Sequence, residues 1–457
     1  MPYVELPNSL LSRSRGQQRI ELPGSRVGEV IQGLEGRFPD LRGWILDERG
    51  RVREHVNLFV GSEPVALDRQ LSADEEVYVL QAISGGAPDA GPLDTGRPDS
   101  APAELLVGTK KGLFVLRGDR GQAMSVVSRQ FPGQVVEFAI RDPRSGTYLA
   151  SVTHGQFGPH VYLADDPEGE WRQAEGPAFP AAEDQAVDRT WVIEPGVEDG
   201  VLWAGVAPAA LFRSTDHGRS WQLNEALWND PTRPQWEGGF GGLCLHTICT
   251  WPGEPQRLTV GISAAGVWLT DDGGHSWRHR VDGLVPRYIP QEARQETMMH
   301  CIHKIERAGT LPSRLYLQFH GGVYRSDDAG ESWSDIGTDS GLPADFGFPL
   351  VAHPRDPQSA YVIPMVADVD RVTPEGRLRV YRTRDGGVSW QPLSAGLPQQ
   401  DAWTTVLRQA FCRDDRDPLG LSFGTEAGEV FVSADEGESW EVAAQRLPKI
   451  TSVRWSA

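Results

Sequence analysis

"STDHGRSW", residues 214–221, returns four more times along the chain without a gap. The further copies are "TDDGGHSW" ending at Trp277, "SDDAGESW" at Trp333, "TRDGGVSW" at Trp390 and "SADEGESW" at Trp440. Their tryptophans are spaced by 56, 56, 57 and 50 residues, and a period of that size marks one structural unit repeated in space. A short apolar segment precedes each copy ("ALFR", "GVWL", "GVYR", "RVYR", "EVFV"), and another strand-like segment follows it. Asp and Gly at the centre suit a hairpin whose Asp side chain bonds to the amides of its own turn. A degenerate sixth copy, "VYLADDPEGEW", puts Trp171 50 residues ahead of Trp221.

Working outward, "ELLVGTKKGLFVLRG" (104–118) aligns with "RLTVGISAAGVWLT" as the second and third strands of a unit whose innermost strand is missing. The final "ITSVRWSA" is similar to the innermost strands "LCLHTIC" and "TVLRQAF". It is therefore expected to complete the first unit and remove an open sheet edge. Units ending near residues 130, 173, 223, 279, 335, 392 and 442 total seven. The pattern S/T-x-D-x-G-x-S/T-W resembles the Asp box, or BNR repeat, of sialidases and sortilin-type receptors, over about residues 104–457. That resemblance implies an all-β seven-bladed β-propeller, with each Trp wedged between blades and each Asp turn on the rim away from the usual binding face. The five repeated Asp residues are accordingly read as structural, not as catalytic groups or Ca²⁺ ligands.

Residues 1–86 read differently. "YVELP" and "RIELPG" suggest a hairpin. In "SRVGEVIQGLEGRFPDL", Ser25 stands where an N-cap would, and Val27, Val30, Ile31, Leu34 and Phe38 follow at helical spacing until Pro39 stops the helix. "HVNLFVGSEPV" and "EEVYVLQAI" alternate as strands, which makes an α+β unit of order ββαββ ending at Gly85-Gly86. "REHVNLFVGSEPVALDRQLSADEEVYVLQAISGG" resembles the C-terminal half of the MoaD/ThiS sulfur carriers, the β-grasp relatives of ubiquitin, and the resemblance covers residues 1–86. In that family the terminal glycine carboxylate is adenylated and converted to a thiocarboxylate. The resemblance thus implies an ATP-dependent activating enzyme, a sulfur donor and an acceptor such as the large subunit of molybdopterin synthase. Glycine suits a tail that threads a narrow channel, having no Cβ. Here Ala87 follows Gly86, so a processing protease would have to free the carboxylate first. "APDAGPLDTGRPDSAPA" (87–103) reads as a flexible linker suited to cleavage. Residues 1–86 contain no lysine, so the unit would not conjugate to itself.

The formal net charge is −19, which argues against a phosphate-tracking nucleic-acid surface and against anionic membranes. No apolar run approaches the length of a membrane span. The first residues lack the basic-then-apolar order of a secretory signal, and the expectation is a cytoplasmic protein. Four cysteines, Cys244, Cys249, Cys301 and Cys412, do not form a disulfide framework in 457 residues.

Propeller ligands usually bind at the mouth, and long mixed loops are often functional. "LWNDPTRPQWEGGFGG" (227–242) and "GLVPRYIPQEARQETMM" (283–299), with "THGQFGPH", "QFHGG" and "MVADVDRVTPEG", offer His154, His160, Trp236, Arg294, His320, Asp368 and Asp370 as binding candidates. Cys244-x-His246 and Cys301-x-His303 lie 57 residues apart, one unit. Because i and i+2 share a face of a strand, the two pairs could hold zinc or another soft metal. They could equally be buried thiols and imidazoles repeated with the unit. No other cofactor is indicated. The Arg-Ile-Pro signature of sialidases is absent, and "RYIP" at 287–290 falls in the wrong unit. The chain reads as a sulfur carrier or ubiquitin-like protein fused to a recognition platform, a carrier and binding protein more than an enzyme. Two alternatives stand beside it: a glycosidase or other hydrolase with its site at the propeller mouth, and a two-module adaptor with Gly86 permanently in amide linkage.

Overall fold

The computed structural model describes residues 2–7, 10–11, 13–47, 49–53, 56–61, 63–72, 75–81, 103–181, 183–239, 241–294, 298–366 and 369–456. The chain separates into two compact units. The first is Met1–Gly96 with Thr153–Pro159 and Ala178–Ala186; the second is Arg97–Val152, His160–Pro177 and Val187–Ala457. Among the described residues no helix is long and apolar enough to cross a membrane.

In the first unit, strands β1 (Tyr3–Glu5), β2 (Arg19–Glu21), β3 (Val56–Val60), β4 (Glu63–Pro64) and β5 (Glu76–Gln81) accompany one helix, α1 (Val27–Arg37). The sheet order is β2-β1-β5-β3-β4, with β1 and β5 parallel and β3 antiparallel to β5. This is the β-grasp arrangement, with a short β4 added to the expected ββαββ order. The apolar face of α1 (Val27, Val30, Ile31, Leu34) is buried, as are Val4, Ile20, Val77 and Val79 of the sheet. The helix begins one residue later than the sequence suggests, with Arg26 at the N-cap. Ser25 is instead held by Glu29, whose Oε2 accepts from the Ser25 backbone N–H at 2.8 Å and from its Oγ at 3.0 Å. The carboxylate thus fixes the residue just ahead of the N-cap against the first turn of the helix.

The second unit consists of seven four-stranded sheets. Their innermost strands are Ile450–Trp455, Val135–Arg141, Arg189–Pro195, Cys244–Trp251, Ile302–Arg307, Gly347–Ala352 and Phe411–Arg413. Each lies against the next, and the last against the first, so the sheets close into a ring. It is a seven-bladed β-propeller. The first blade mixes the two ends of the unit: Ile450 pairs with Thr109, Val453 with Val107 and Trp455 with Leu105.

The repeated turn owes its sequence to its hydrogen bonds. Ser214 Oγ donates to Asp216 Oδ1 at 2.8 Å and accepts from Gly218 N at 2.9 Å. Asp216 in turn accepts from the Ser220 backbone N–H at 2.9 Å and from its Oγ at 2.6 Å. The same bonds recur around Asp272, Asp328, Asp385 and Asp435. The carboxylate is thus consumed by its own turn. The degenerate copy has Ala164 and Glu170 in the hydroxyl positions, and there Asp166 Oδ1 accepts from Glu168 N at 2.9 Å.

Two further devices tie the turns at Trp277, Trp333, Trp390 and Trp440 to the preceding blade. The indole N–H of Trp277 donates to Asn224 Oδ1 at 3.0 Å, that of Trp333 to the Arg280 carbonyl at 3.3 Å, and that of Trp390 to the Ile336 carbonyl at 2.9 Å. The backbone N–H groups of Trp333, Trp390 and Trp440 donate to the carbonyls of Asp282, Ser340 and Ala395 at 2.9, 3.0 and 2.9 Å. Each of those carbonyls immediately precedes a Gly-Leu pair: Gly283-Leu284, Gly341-Leu342 and Gly396-Leu397.

The turns also predict acid sensitivity. Burial pushes the Asp385 carboxyl up, but hydrogen bonds from Ser389 and Thr383 outweigh it and hold the pKa down at about 2; the carboxyls of Asp216, Asp272, Asp328 and Asp435 are lowered too. A carboxyl with a depressed native pKa contributes stability above its unfolded value, near 4, and loses it as pH falls through the native one. The urea midpoint should therefore hold from pH 7 to about 5 and fall between about 4 and 2. Asp385→Asn should shallow that decline, and a variant whose midpoint tracks the wild type throughout would refute the assignment.

Candidate functional site

In the first unit β5 occupies the middle of the sheet, between β1 and β3, and its entry is pinned. Arg69 Nη1 and Nη2 each donate to Glu75 at 2.7 Å, and the Ser72 N–H donates to the same carboxylate at 2.7 Å. These bonds, the Arg69 pair first, hold the Glu75 pKa down at about 2. β5 runs toward Gly85 and Gly86, which lie outside the described residues. His154, taken from sequence as a mouth candidate, belongs to this first unit. Its ring lies 5.4 Å from Trp44 and 4.6 Å from Phe157, and burial lowers its pKa to about 4.

Polar side chains on or beside the innermost strands of several blades meet one another. Gln409 Nε2 donates to the His246 carbonyl at 2.6 Å, Arg454 Nη1 donates to the Gln409 carbonyl at 2.8 Å, and Lys304 Nζ pairs with Glu306 at 3.0 Å. Glu194, on the innermost strand Arg189–Pro195, feels Lys304, Glu306 and Arg454. Burial dominates and raises its pKa to about 7. None of Glu194, Lys304, Glu306, Gln409 and Arg454 was found from sequence. A charged residue on a buried strand has no local signature; only the ring of strands brings these together.

Cys301, His303 and His320 each present a ligand-type atom within 4.8 Å of the others. A register shift in the Ile302–Arg307 strand falls at His303, and an equivalent shift in the preceding blade falls at His246. His303 Nδ1 is 2.6 Å from the Gly347 carbonyl. Tyr288 Oη accepts from the Cys301 N–H at 2.8 Å and donates to the Met299 carbonyl at 2.6 Å. Cys244 and His246 lie outside this group, so the structure joins Cys301 and His303 to His320 instead of to the neighbouring Cys-x-His pair. Burial raises the Cys244 pKa to about 11 and lowers that of His246.

The remaining mouth candidates do not converge. Trp236 is buried 5.2 Å from Trp268 and donates to Thr232 Oγ1 at 3.0 Å. His160 is buried in the Gly158–Ala164 strand. Arg294 donates to the Ile289 and Arg287 carbonyls at 2.9 and 3.2 Å, and with His279, His300, Leu284 and Met298 it lines a cleft of about 840 Å³. Asp370 is exposed, and Asp368 lies outside the described residues.

No family model matches the chain. The xyloglucanase of Hypocrea jecorina (strain QM6a) is 29% identical over 217 residues, covering 44% of this chain and 25% of that enzyme. Small archaeal modifier protein 1 of Haloferax volcanii is 28% identical over 69 residues, covering 15% of this chain and 79% of that protein. Among solved structures, the GH74 xyloglucanase of Xanthomonas campestris is 16% identical, with 76% of this chain and 53% of that one covered at a TM-score of 0.49. The chain thus spans a quarter of the length of the Hypocrea enzyme. Its first segment resembles the ubiquitin-like sulfur carriers, and the remainder resembles propellers of the xyloglucanase kind.

Proposed function

We propose that the first unit is a sulfur carrier or ubiquitin-like modifier, fused to a propeller that recognises a partner. The observation carrying this reading is the position of β5: it is central in its sheet, and in the sequence it is followed within five residues by Ser84-Gly85-Gly86. That strand is flanked by β1 on one side and, as far as Gln81, by β3 on the other, and glycine is the residue type that lets a tail enter a narrow activating site. The identity with a small archaeal modifier over most of that protein's length supports the same reading. In this scheme a protease cuts after Gly86. An ATP-dependent enzyme then adenylates the freed carboxylate, and a sulfur donor displaces the nucleotide to leave a thiocarboxylate for an acceptor protein, of the kind used in molybdopterin-type biosynthesis.

Intact mass of the protein isolated from its native host, with the activating enzyme present, tests this. A fragment ending at Gly86 with one oxygen replaced by sulfur is expected. Full-length chain under every growth condition would replace the carrier by a two-module adaptor. The Hypocrea relative favours a second reading, in which the propeller is a glycoside hydrolase. Glu194, its proton retained near neutral pH by burial, is the group suited to act as its acid. Turnover of xyloglucan oligosaccharides by the full chain would establish that reading.

A further inference from the structure

We propose that Cys301, His303 and His320 form a zinc site within a single propeller blade. Three features of the fold build it. Cys301 and His303 flank the start of the innermost strand Ile302–Arg307, and His320 lies in the hairpin turn between Leu315–Phe319 and Gly322–Ser326. The main chain closes the gap between them, since the His320 N–H donates to the Cys301 carbonyl at 3.0 Å. The local register shift at His303 re-aims its side chain, as such irregularities do beside functional sites.

The donors are oriented for a metal. His303 Nδ1 faces the Gly347 carbonyl at 2.6 Å; a carbonyl only accepts, so Nδ1 carries the hydrogen and Nε2 presents its lone pair. A ligating imidazole that donates its other N–H to a backbone carbonyl is the usual outer-shell arrangement. Cys301 Sγ lies 3.3 Å from Ser263 Oγ, a hydroxyl able to donate to a ligating sulfur. The Tyr288 ring meets the His320 ring edge-on at 4.5 Å, and Phe346 lies 5.1 Å from the same ring, which limits its rotation. Tyr288 Oη also holds the Cys301 N–H at 2.8 Å, so one side chain positions two of the three ligands.

The dimensions fit. Tetrahedral zinc, with Zn–S about 2.3 Å and Zn–N about 2.0 Å, places its ligand atoms roughly 3.3–3.6 Å apart. The three donor atoms already lie within 4.8 Å of one another, so side-chain rotations of about 1 Å close the shell. One sulfur and two nitrogens suit zinc over the hard oxygen-seeking cations. Water or a small anion would take the fourth position, as in zinc sites that keep an open place.

The full chain, expressed without a histidine tag, should retain one equivalent of zinc through dialysis. It should also take up one equivalent of Co²⁺ with a sulfur-to-cobalt charge-transfer band and tetrahedral d–d bands. Cys301→Ser and His320→Gln should each weaken zinc by roughly 100-fold or more, since outer-shell changes alone cost about 10–100-fold. His246→Gln should bind as the wild type does. The wild-type cobalt spectrum is read without any variant, so a misfolded Cys301→Ser does not blunt the test. Absence of saturable uptake by the wild type would overturn the proposal. So would retention of binding by His320→Gln with loss in His246→Gln, which would move the site to the two Cys-x-His pairs of adjacent blades.

Discussion

A chain ended at Lys449 is expected to lose the cooperative fold of its propeller. The removed strand, Ile450–Trp455, forms the inner edge of the first blade along Ala103–Thr109, all seven residues of which are buried. Ile450 and Val453 have 0% of their surface exposed, and each such side chain is worth roughly 1.5–3 kcal/mol in apolar burial before any cavity is counted. The Val453 N–H also donates to the Gln409 carbonyl, and Thr451 Oγ1 donates to Val136 in the next blade. Deletion therefore breaks the ring on both sides and leaves a long apolar edge. The summed loss is on the order of a whole domain's stability, about 5–15 kcal/mol. Soluble yield and the urea transition of the truncated chain would measure it, and a peptide of residues 450–457 added in trans should restore part of the transition. A truncated chain with the wild-type midpoint would mean that the ring does not depend on this strand.

The second large effect is expected from Gly283→Ala and Gly396→Ala. Both glycines have a φ of +86°, where an L side chain costs roughly 1–2 kcal/mol. The added Cβ would stand 1.9 Å from the carbonyl oxygen of Trp333 in the first case and of Trp440 in the second. That neighbour is backbone of the next blade and cannot swing aside. A destabilisation on the order of 4 kcal/mol is expected for each. Gly341 is the internal control: its φ is +94°, but its Cβ would sit 3.4 Å from the Trp390 carbonyl oxygen, so Gly341→Ala should cost only the conformational part, about 1–2 kcal/mol. Equal shifts for the three variants in urea unfolding would remove the argument that these glycines are required by close approach of the blades.

These same glycines show where reading the sequence stops. Gly-Leu pairs stand in "DGLVP", "SGLPA" and "AGLPQ", yet a Gly or Pro between two strands is ordinary turn composition. Only the hydrogen bond from the following Trp gives the pair its role. His320 is similar. As a loop histidine it was one mouth candidate among several; the backbone bond to Cys301 makes it the partner of a Cys-x-His pair. Arg294 went the other way, since its guanidinium is occupied by carbonyls of its own loop.

The sequence alone determined the repeat, the seven-blade count and the β-grasp order, because each depends on interactions within a few residues or on a period in the chain. Asp216 and its four counterparts satisfy their own turns, and alternating apolar residues declare a strand wherever it is later packed. The tertiary structure alone decided which side chains meet. Glu194 acquires its raised pKa only when strands from several blades are laid side by side, and Cys301, His303 and His320 meet only when one strand pairs with the next around a register shift, because burial and proximity are properties of the packed sheets and not of any single segment in them.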